Sequence, residues 1–243
     1  MKTELIKFKI ISVILLLFIS TGLAFGQAVN LQGLDDYVNQ AIKDWETPGV
    51  AIAVIKDDKV IYSKGYGVRE LGKSDPVTAN TMFAIGSSSK AFTSAALAML
   101  VDEGKIKWND PVSKYLPNFQ LFDPYVTREM MVQDLLSHRI GLERGDRLWY
   151  ATDYSRDEVL RRIRFLKPSS SFRSKFGYQN IMYLAGGQII PSITGKSWDD
   201  FLKERIFTPL GMTSTNTSIS GLKGMNDVAA PHAKINDKVK PVA

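Results

Sequence analysis

The chain has 243 residues, 44% of them hydrophobic and 23% charged. That length sustains one or two domains with a real core, and the composition excludes wholesale disorder and collagen-like structure. Lys and Arg outnumber Asp and Glu by 31 to 25, a net charge of +6, while the absence of cysteine excludes disulfides, thiolate metal sites, a cysteine nucleophile and a lipoprotein anchor.

Residues 1–26 read as an export signal. Lys2, Lys7 and Lys9 form a basic head, residues 10–17 are apolar except for Ser12, and Ala24-Phe25-Gly26 suits a signal-peptidase site. The apolar run falls short of the roughly 20 residues that a bilayer span needs. Cleavage near Gly26 is therefore expected, with no stable membrane span afterwards; an uncleaved signal anchor is the competing reading. Without this segment the net charge drops to +4, since it holds three lysines and Glu4. Residues 27–243 are expected to form one domain. Within it, Arg161, Arg162, Arg164, Lys167, Arg173 and Lys175 are interleaved with acidic and apolar residues. Such a mixture reads as a solvated helix face rather than a nucleic-acid site.

Residues 31–45 space their apolar side chains (Leu34, Tyr37, Val38, Ile42) as a helix does. Residues 50–55 and 60–66, joined by Asp57-Asp58, predict a β-hairpin. The strongest helical pattern covers 87–103, with Phe92, Ala95, Ala96, Met99 and Leu100 on one stripe and Gly104 as its stop. Further helices are expected over 127–137, 156–165, 180–193 and 198–207, with Pro191 kinking or ending the third of them. Two strands do not make a stable sheet, and no convincing strand is read after the hairpin.

Several familiar signatures are missing. There is no Gly-x-Ser-x-Gly elbow and no His-Glu-x-x-His, and Gly195-Lys196-Ser197 lacks a phosphate loop's upstream glycine because position 190 is Ile. The two histidines, His138 and His232, form no metal cluster, and neither sits in a recognisable Ser-His-Asp context. An isolated His138 reads as structural.

The tetrad Ser87-Ser88-Ser89-Lys90 is more informative. Ser-x-x-Lys recurs by chance, and Ser220-Gly221-Leu222-Lys223 matches too, but only Ser87 follows an apolar run and opens the strongest helix. Three residues apart at a helix start, Ser87 and Lys90 share a face. Free backbone N–H groups and the positive dipole end there favour a developing alkoxide, whose proton the amine can shuttle. The plainer reading is a capping serine and a solvated lysine. Tyr178-Gln179-Asn180 is a second constellation at a helix start; Tyr37-Val38-Asn39 is set aside because Tyr37 falls on an apolar stripe. Beside a lysine ammonium a phenol's pKa drops from about 10, which makes Tyr178 a candidate base. Asn180 can present its amide to a substrate carbonyl and hold the lysine. A core tyrosine followed by a helix cap is the alternative.

Together these stretches resemble a known family. Residues 83–90, Phe-Ala-Ile-Gly-Ser-Ser-Ser-Lys, look like the nucleophile motif of class C β-lactamases and their relatives. Those relatives are the serine D-Ala-D-Ala carboxypeptidases, penicillin-recognising esterases and D-aminopeptidase-like serine hydrolases. Tyr178-Gln179-Asn180 matches their Tyr-x-Asn motif, and residues 134–142, Asp-Leu-Leu-Ser-His-Arg-Ile-Gly-Leu, are similar to their Leu-Leu-Ser-His-Thr-Ser-Gly-Leu segment. Residues 193–198 and 205–212 also recur in family order.

The resemblance implies an α+β, β-lactamase/transpeptidase-like fold with an N-terminal hairpin and a helical subdomain. It implies Ser87 as the acylated nucleophile, Lys90 and Tyr178 as the shared proton shuttle, and Asn180 as a substrate-binding residue. The Ser87 backbone N–H would be one oxyanion-hole donor. No metal or organic cofactor is implied. The partner is a small-molecule or peptide substrate (a β-lactam, D-amino-acid peptide or ester), not nucleic acid, and the location is periplasmic or secreted in a bacterium.

Two departures accompany the match. His138-Arg139-Ile140-Gly141 replaces the usual Thr-Ser pair with bulkier residues. The family's third motif, Lys-Thr-Gly or His-x-Gly, does not occur after Tyr178. The resemblance therefore implies a C-terminally truncated chain, without the strand of the second oxyanion donor and the other strands that complete the sheet. Two functions stay open. One is an exported serine hydrolase acting through an acyl-enzyme on an amide, ester or β-lactam carbonyl. The other is an incompetent remnant that at most binds peptidoglycan-like ligands.

Overall fold

The computed structural model describes residues 29–242, so the export signal read at 1–26 lies outside the described residues. The chain divides into two units: residues 82–229, and a sheet unit that joins the residues before Met82 to those after Ala229.

In the sheet unit, helix α1 (Leu34–Asp44) buries Val38. Tyr37, expected on the apolar stripe, is 73% exposed, because a helix advances about 100° per residue and the inward position is taken by its neighbour. Strands β1 (Gly49–Lys56) and β2 (Lys59–Gly67) are antiparallel, with Lys56 opposite Lys59 and an irregular register at Val54/Ile55. Asp57 and Asp58 both have positive φ (51° and 59°), as a two-residue hairpin turn requires. In the first turn of α1, the Asp35 carboxylate accepts hydrogen bonds from Tyr62 (2.7 Å) and Tyr66 (2.6 Å) of β2 and pairs with Lys64 at 2.9 Å. The Tyr66 bond first, then those of Lys64 and Tyr62, holds Asp35 far below the usual carboxylate range.

A second hairpin, β3 (His232–Ile235) and β4 (Lys238–Pro241), corrects the reading that no strand follows the first. Its strands have only four residues and carry three lysines, so alternation gave no signal. The legible feature was Asn236-Asp237, whose φ values of 50° and 58° make the same kind of turn. The two hairpins form separate two-stranded sheets.

In the helical unit, a 3₁₀ turn (Gly86–Ser89) leads into α2 (Lys90–Asp102). The face buried by α2 is Thr93, Ala96, Leu97 and Leu100, one residue round from the expected stripe, and Ala95 is exposed. The helix expected over 127–137 is two pieces, α3 (Pro124–Glu129) and a 3₁₀ turn (Val132–Leu136), with Met130 extended between them. Asp134 explains the break: its carboxylate accepts the Met131 N–H at 2.8 Å, a local bond that competes with the helix ladder, and also pairs with Arg173. Helix α4 (Arg156–Arg162) is capped by Ser155, whose side chain accepts the Glu158 N–H, and continues as a 3₁₀ turn (Ile163–Phe165).

Helix α5 (Asn180–Thr194) runs through Pro191 and ends at Gly195, so the expected stop at the proline does not occur. The missing N–H costs a single bond in the last turn, and buried Ile189 and Ile190 hold that turn in the core. Helix α6 (Trp198–Leu202) follows and widens into a π turn (Lys203–Phe207). Leu97 and Leu100 of α2, Ile181, Met182, Ile189 and Ile190 of α5, and Leu202 of α6 share one core. Glycines let these helices approach: a Cβ on Gly186 would lie 3.3 Å from Leu97, and one on Gly187 3.2 Å from Trp198. That packing brings the start of α5 against the start of α2.

Candidate active site

Ser87 lies in the 3₁₀ turn before α2, Lys90 begins α2, Tyr178 precedes α5 and Asn180 begins it. All four residues singled out in the sequence meet. The Ser87 Oγ is 2.5 Å from the Tyr178 Oη. Lys90 Nζ donates to Ser87 Oγ at 3.2 Å and to Asn180 Oδ1 at 2.6 Å. The same ammonium lies 4.7 Å from the centre of the Tyr178 ring and 5.3 Å from that of Tyr183. The hydrogen bond with Lys90, followed by that with Ser87, holds the Tyr178 phenol below its ordinary pKa of 10.0, against the effect of burial. A phenol that ionises more easily, next to a serine hydroxyl, is equipped to take that hydroxyl's proton.

Two supporting residues escaped the sequence reading, and a third was read there only as structural. Asp146 accepts the Asn180 Nδ2–H at 2.9 Å and the Trp149 Nε1–H at 3.2 Å, and pairs with Arg144. Burial opposes its charge, but Asn180 and Arg144 outweigh that and hold its pKa below the ordinary carboxylate value. Asn180 is thus gripped from both ends, its oxygen by Lys90 and its nitrogen by Asp146. Gln179, the unspecified residue of the Tyr-x-Asn motif, is 1% exposed. Its Nε2 donates to the Glu143 carbonyl at 2.6 Å, and its Oε1 caps α5 by accepting the Ile181 N–H at 3.0 Å.

His138 is the third. Its ring lies 4.5 Å from the Tyr178 ring at 30°, its Nδ1 accepts the Gln179 N–H at 3.1 Å, and its carbonyl accepts the Gly177 N–H at 2.8 Å. Burial, and then the Lys90 charge, push its pKa below 6.5. It is structural in the sense expected, but what it structures is the Tyr178–Asn180 segment. The similarity of residues 134–142 to a family segment was the available signal. The decoys behave otherwise: the Ser220 hydroxyl bonds Ser218 at 2.7 Å, and Tyr37 is exposed.

Ser87, Lys90 and Asn180 line a cleft of about 810 Å³, walled beyond them by residues of the loop from Arg144 to Tyr150 and by Tyr154 and Arg156. Among the described residues no group of three or more His, Cys, Asp or Glu side chains is placed to hold a metal ion, and no helix is long and apolar enough to cross a membrane.

Comparison with known proteins shows the family and the fold. The family model described as Beta-lactamase matches residues 34–242. The unguisins hydrolase ungD' of Aspergillus campestris is 35% identical over 198 residues, which are 77% of this chain and 36% of that protein. Among solved structures, the octameric penicillin-binding protein homologue from Pyrococcus abyssi superposes with a TM-score of 0.76 at 26% identity, covering 88% of this chain and 50% of that one. FmtA from Staphylococcus aureus gives a TM-score of 0.72 at 27% identity, covering 88% and 59% respectively. The chain spans 36% to 59% of the length of these relatives.

Proposed function

This chain belongs to the beta-lactamase family, and from that premise we propose that it is an exported serine hydrolase working through a covalent acyl-enzyme on an amide, ester or β-lactam carbonyl. The observation that carries the reading is the Ser87 Oγ within bonding distance of both the Tyr178 Oη and the Lys90 Nζ. Tyr178 acts as a phenolate, stabilised by the Lys90 ammonium, and becomes a neutral phenol when it takes the proton as Ser87 Oγ attacks the carbonyl carbon. The Ser87 backbone N–H supports the oxyanion, an interaction whose loss costs about 2.7–4 kcal/mol in other serine hydrolases. Collapse of the tetrahedral adduct expels the leaving group, which receives the proton from Tyr178. Water then attacks the acyl-Ser87 ester, giving up its proton along the same path, and releases the acid. Asn180, held between Lys90 and Asp146, orients the substrate through its amide. Export rests on the basic head and apolar run of residues 1–26.

Intact-mass analysis after exposure to a fluorophosphonate or a penicillin tests this reading. One adduct per chain is expected, and none in Ser87→Ala. No adduct, or one that persists in the variant, overturns the catalytic assignment and leaves a ligand-binding role.

A further inference from the structure

We propose that the loop from Arg144 to Tyr150 makes this cleft select acyl substrates that carry a carboxylate beside an aromatic group, with Arg147 as the anion contact. The inference rests on the serine-hydrolase reading but comes from a different set of residues.

Four cations line the cleft, Lys90, Arg144, Arg147 and Arg156, against one carboxylate, Asp146. Three of the four are engaged. Lys90 is bound to Asn180 and Ser87, and Arg144 pairs with Asp146. Arg156 holds Asp199 through two bonds of 2.6 and 3.0 Å. Arg147 is exposed and makes no hydrogen bond or ion pair among the described residues. It is the cleft cation with nothing to neutralise it, and its planar fork matches a carboxylate with two parallel N–H···O bonds.

Its neighbours supply the aromatic half. Trp149 and Tyr150 stand edge to face at 5.6 Å, Tyr150 is 71% exposed, and Tyr154 joins them on the cleft wall. Exposed rings beside a cation accept a flat apolar group while the guanidinium takes the charge. The wall is also fixed to the reacting centre. Arg147 sits in a 3₁₀ turn (Asp146–Leu148) and directly follows Asp146, which holds both the Trp149 indole and the Asn180 amide. Asn180 in turn holds Lys90, which reaches Ser87. A ligand seated on this wall is therefore registered against the nucleophile through three successive hydrogen bonds. A cleft of this volume is large enough for such a ligand.

Binding tests the proposal without needing turnover. In the full chain carrying Ser87→Ala, fluorescence titration compares dansylglycine with dansylglycinamide, which share the ring system and differ in the charge. The acid is expected to bind about tenfold more tightly at low salt, the scale of one charged hydrogen-bonded contact, and to lose that margin as salt is raised. Adding Arg147→Ala should bring the two affinities within about twofold, and Arg147→Glu should reverse their order, with unfolding midpoints confirming that each variant is folded. In the unsubstituted chain, p-nitrophenyl hydrogen glutarate should be hydrolysed with a higher kcat/KM than p-nitrophenyl valerate, and Arg147→Ala should collapse that ratio. Equal affinity for acid and amide, no binding of either, or a preference that survives Arg147→Ala overturns the proposal. Failure of the fluorophosphonate adduct overturns the catalytic reading instead, and the acid-against-amide comparison remains readable.

Discussion

The helical unit and the sheet unit hold their parts in different ways. Every buried residue of the main apolar core lies between Ala96 and Phe207, inside the helical unit, and that unit, residues 82–229, also holds every member of the candidate site. In the sheet unit the buried side chains among the described residues are Val38, Tyr66, Val77 and Thr81, and the strands pair two by two. Ile55 and Val60 beside its turn are 61% and 65% exposed. Its most concentrated interaction is polar, the Asp35 carboxylate with Tyr62, Lys64 and Tyr66. The contrast teaches where precision comes from. Hydrogen-bonded strands give regular backbone, but a packed helical core fixes two helix starts closely enough for four side chains to join in one hydrogen-bonded cluster.

The two tyrosine hydroxyls give the largest test of that contrast. Tyr178→Phe keeps the ring that His138 and Lys90 pack against and removes only the oxygen 2.5 Å from Ser87. Turnover of a chromogenic ester should fall by about 10²- to 10⁴-fold, the usual contribution of a positioned general base, with the unfolding midpoint unchanged. Tyr66→Phe removes a hydroxyl that is just as well bonded, from a site the chemistry does not use, and should leave turnover unchanged. Comparable losses in the two variants would break the division of labour between the units.

Core substitutions sharpen the same comparison on the scale of stability. Leu97 is fully buried against Gly186, so Leu97→Ala should cost about 2–5 kcal/mol in urea denaturation followed by circular dichroism. Val38 is the buried residue of α1 and lies outside the main core cluster; Val38→Ala should cost about 1–2 kcal/mol. Equal costs would mean that the sheet unit is packed as tightly as the helical one.

What the sequence disclosed follows the same line. The four candidate site residues were legible because the proposed chemistry demands particular residue types at helix starts: a hydroxyl and an amine three positions apart, and a phenol two positions before an amide. The first hairpin was legible because its turn is two acidic residues between apolar strands. Asp146, Gln179 and His138 were not, since each acts through a contact more than 30 residues away or through its own buried amide, and no local pattern encodes such a contact. The break at Met130 was hidden for a related reason. Residues 127–137 have a helical period, and only the long-range pairing of Asp134 with Arg173 shows why the carboxylate turns back on the backbone.

The smallest expected effect concerns His138, and its pH dependence separates a positioning role from a merely space-filling one. The ring accepts the Gln179 N–H through Nδ1 and lies against Tyr178 and Tyr183; Lys90 is the cation that faces it. Protonation turns Nδ1 into a donor, which breaks the Gln179 bond and sets a second positive charge beside Lys90. Burial and Lys90 keep the folded-state pKa below 6.5, so the unfolded chain takes up the proton first. The stability contributed by neutral His138 is therefore complete above about pH 6.5 and is lost as the pH falls through the lowered value. Activity should decline over the same window as Tyr178 loses its fixed position. His138→Gln retains an acceptor but neither titrates nor stacks. At pH 7.5 its kcat should be about twofold to tenfold lower, the equivalent of one hydrogen bond of 0.5–1.5 kcal/mol. Its acid limb should lose the histidine component, while the part set by Tyr178 stays in place. An unchanged acid limb in His138→Gln would reduce the histidine to packing and would leave Lys90 and Gln179 to hold the tyrosine.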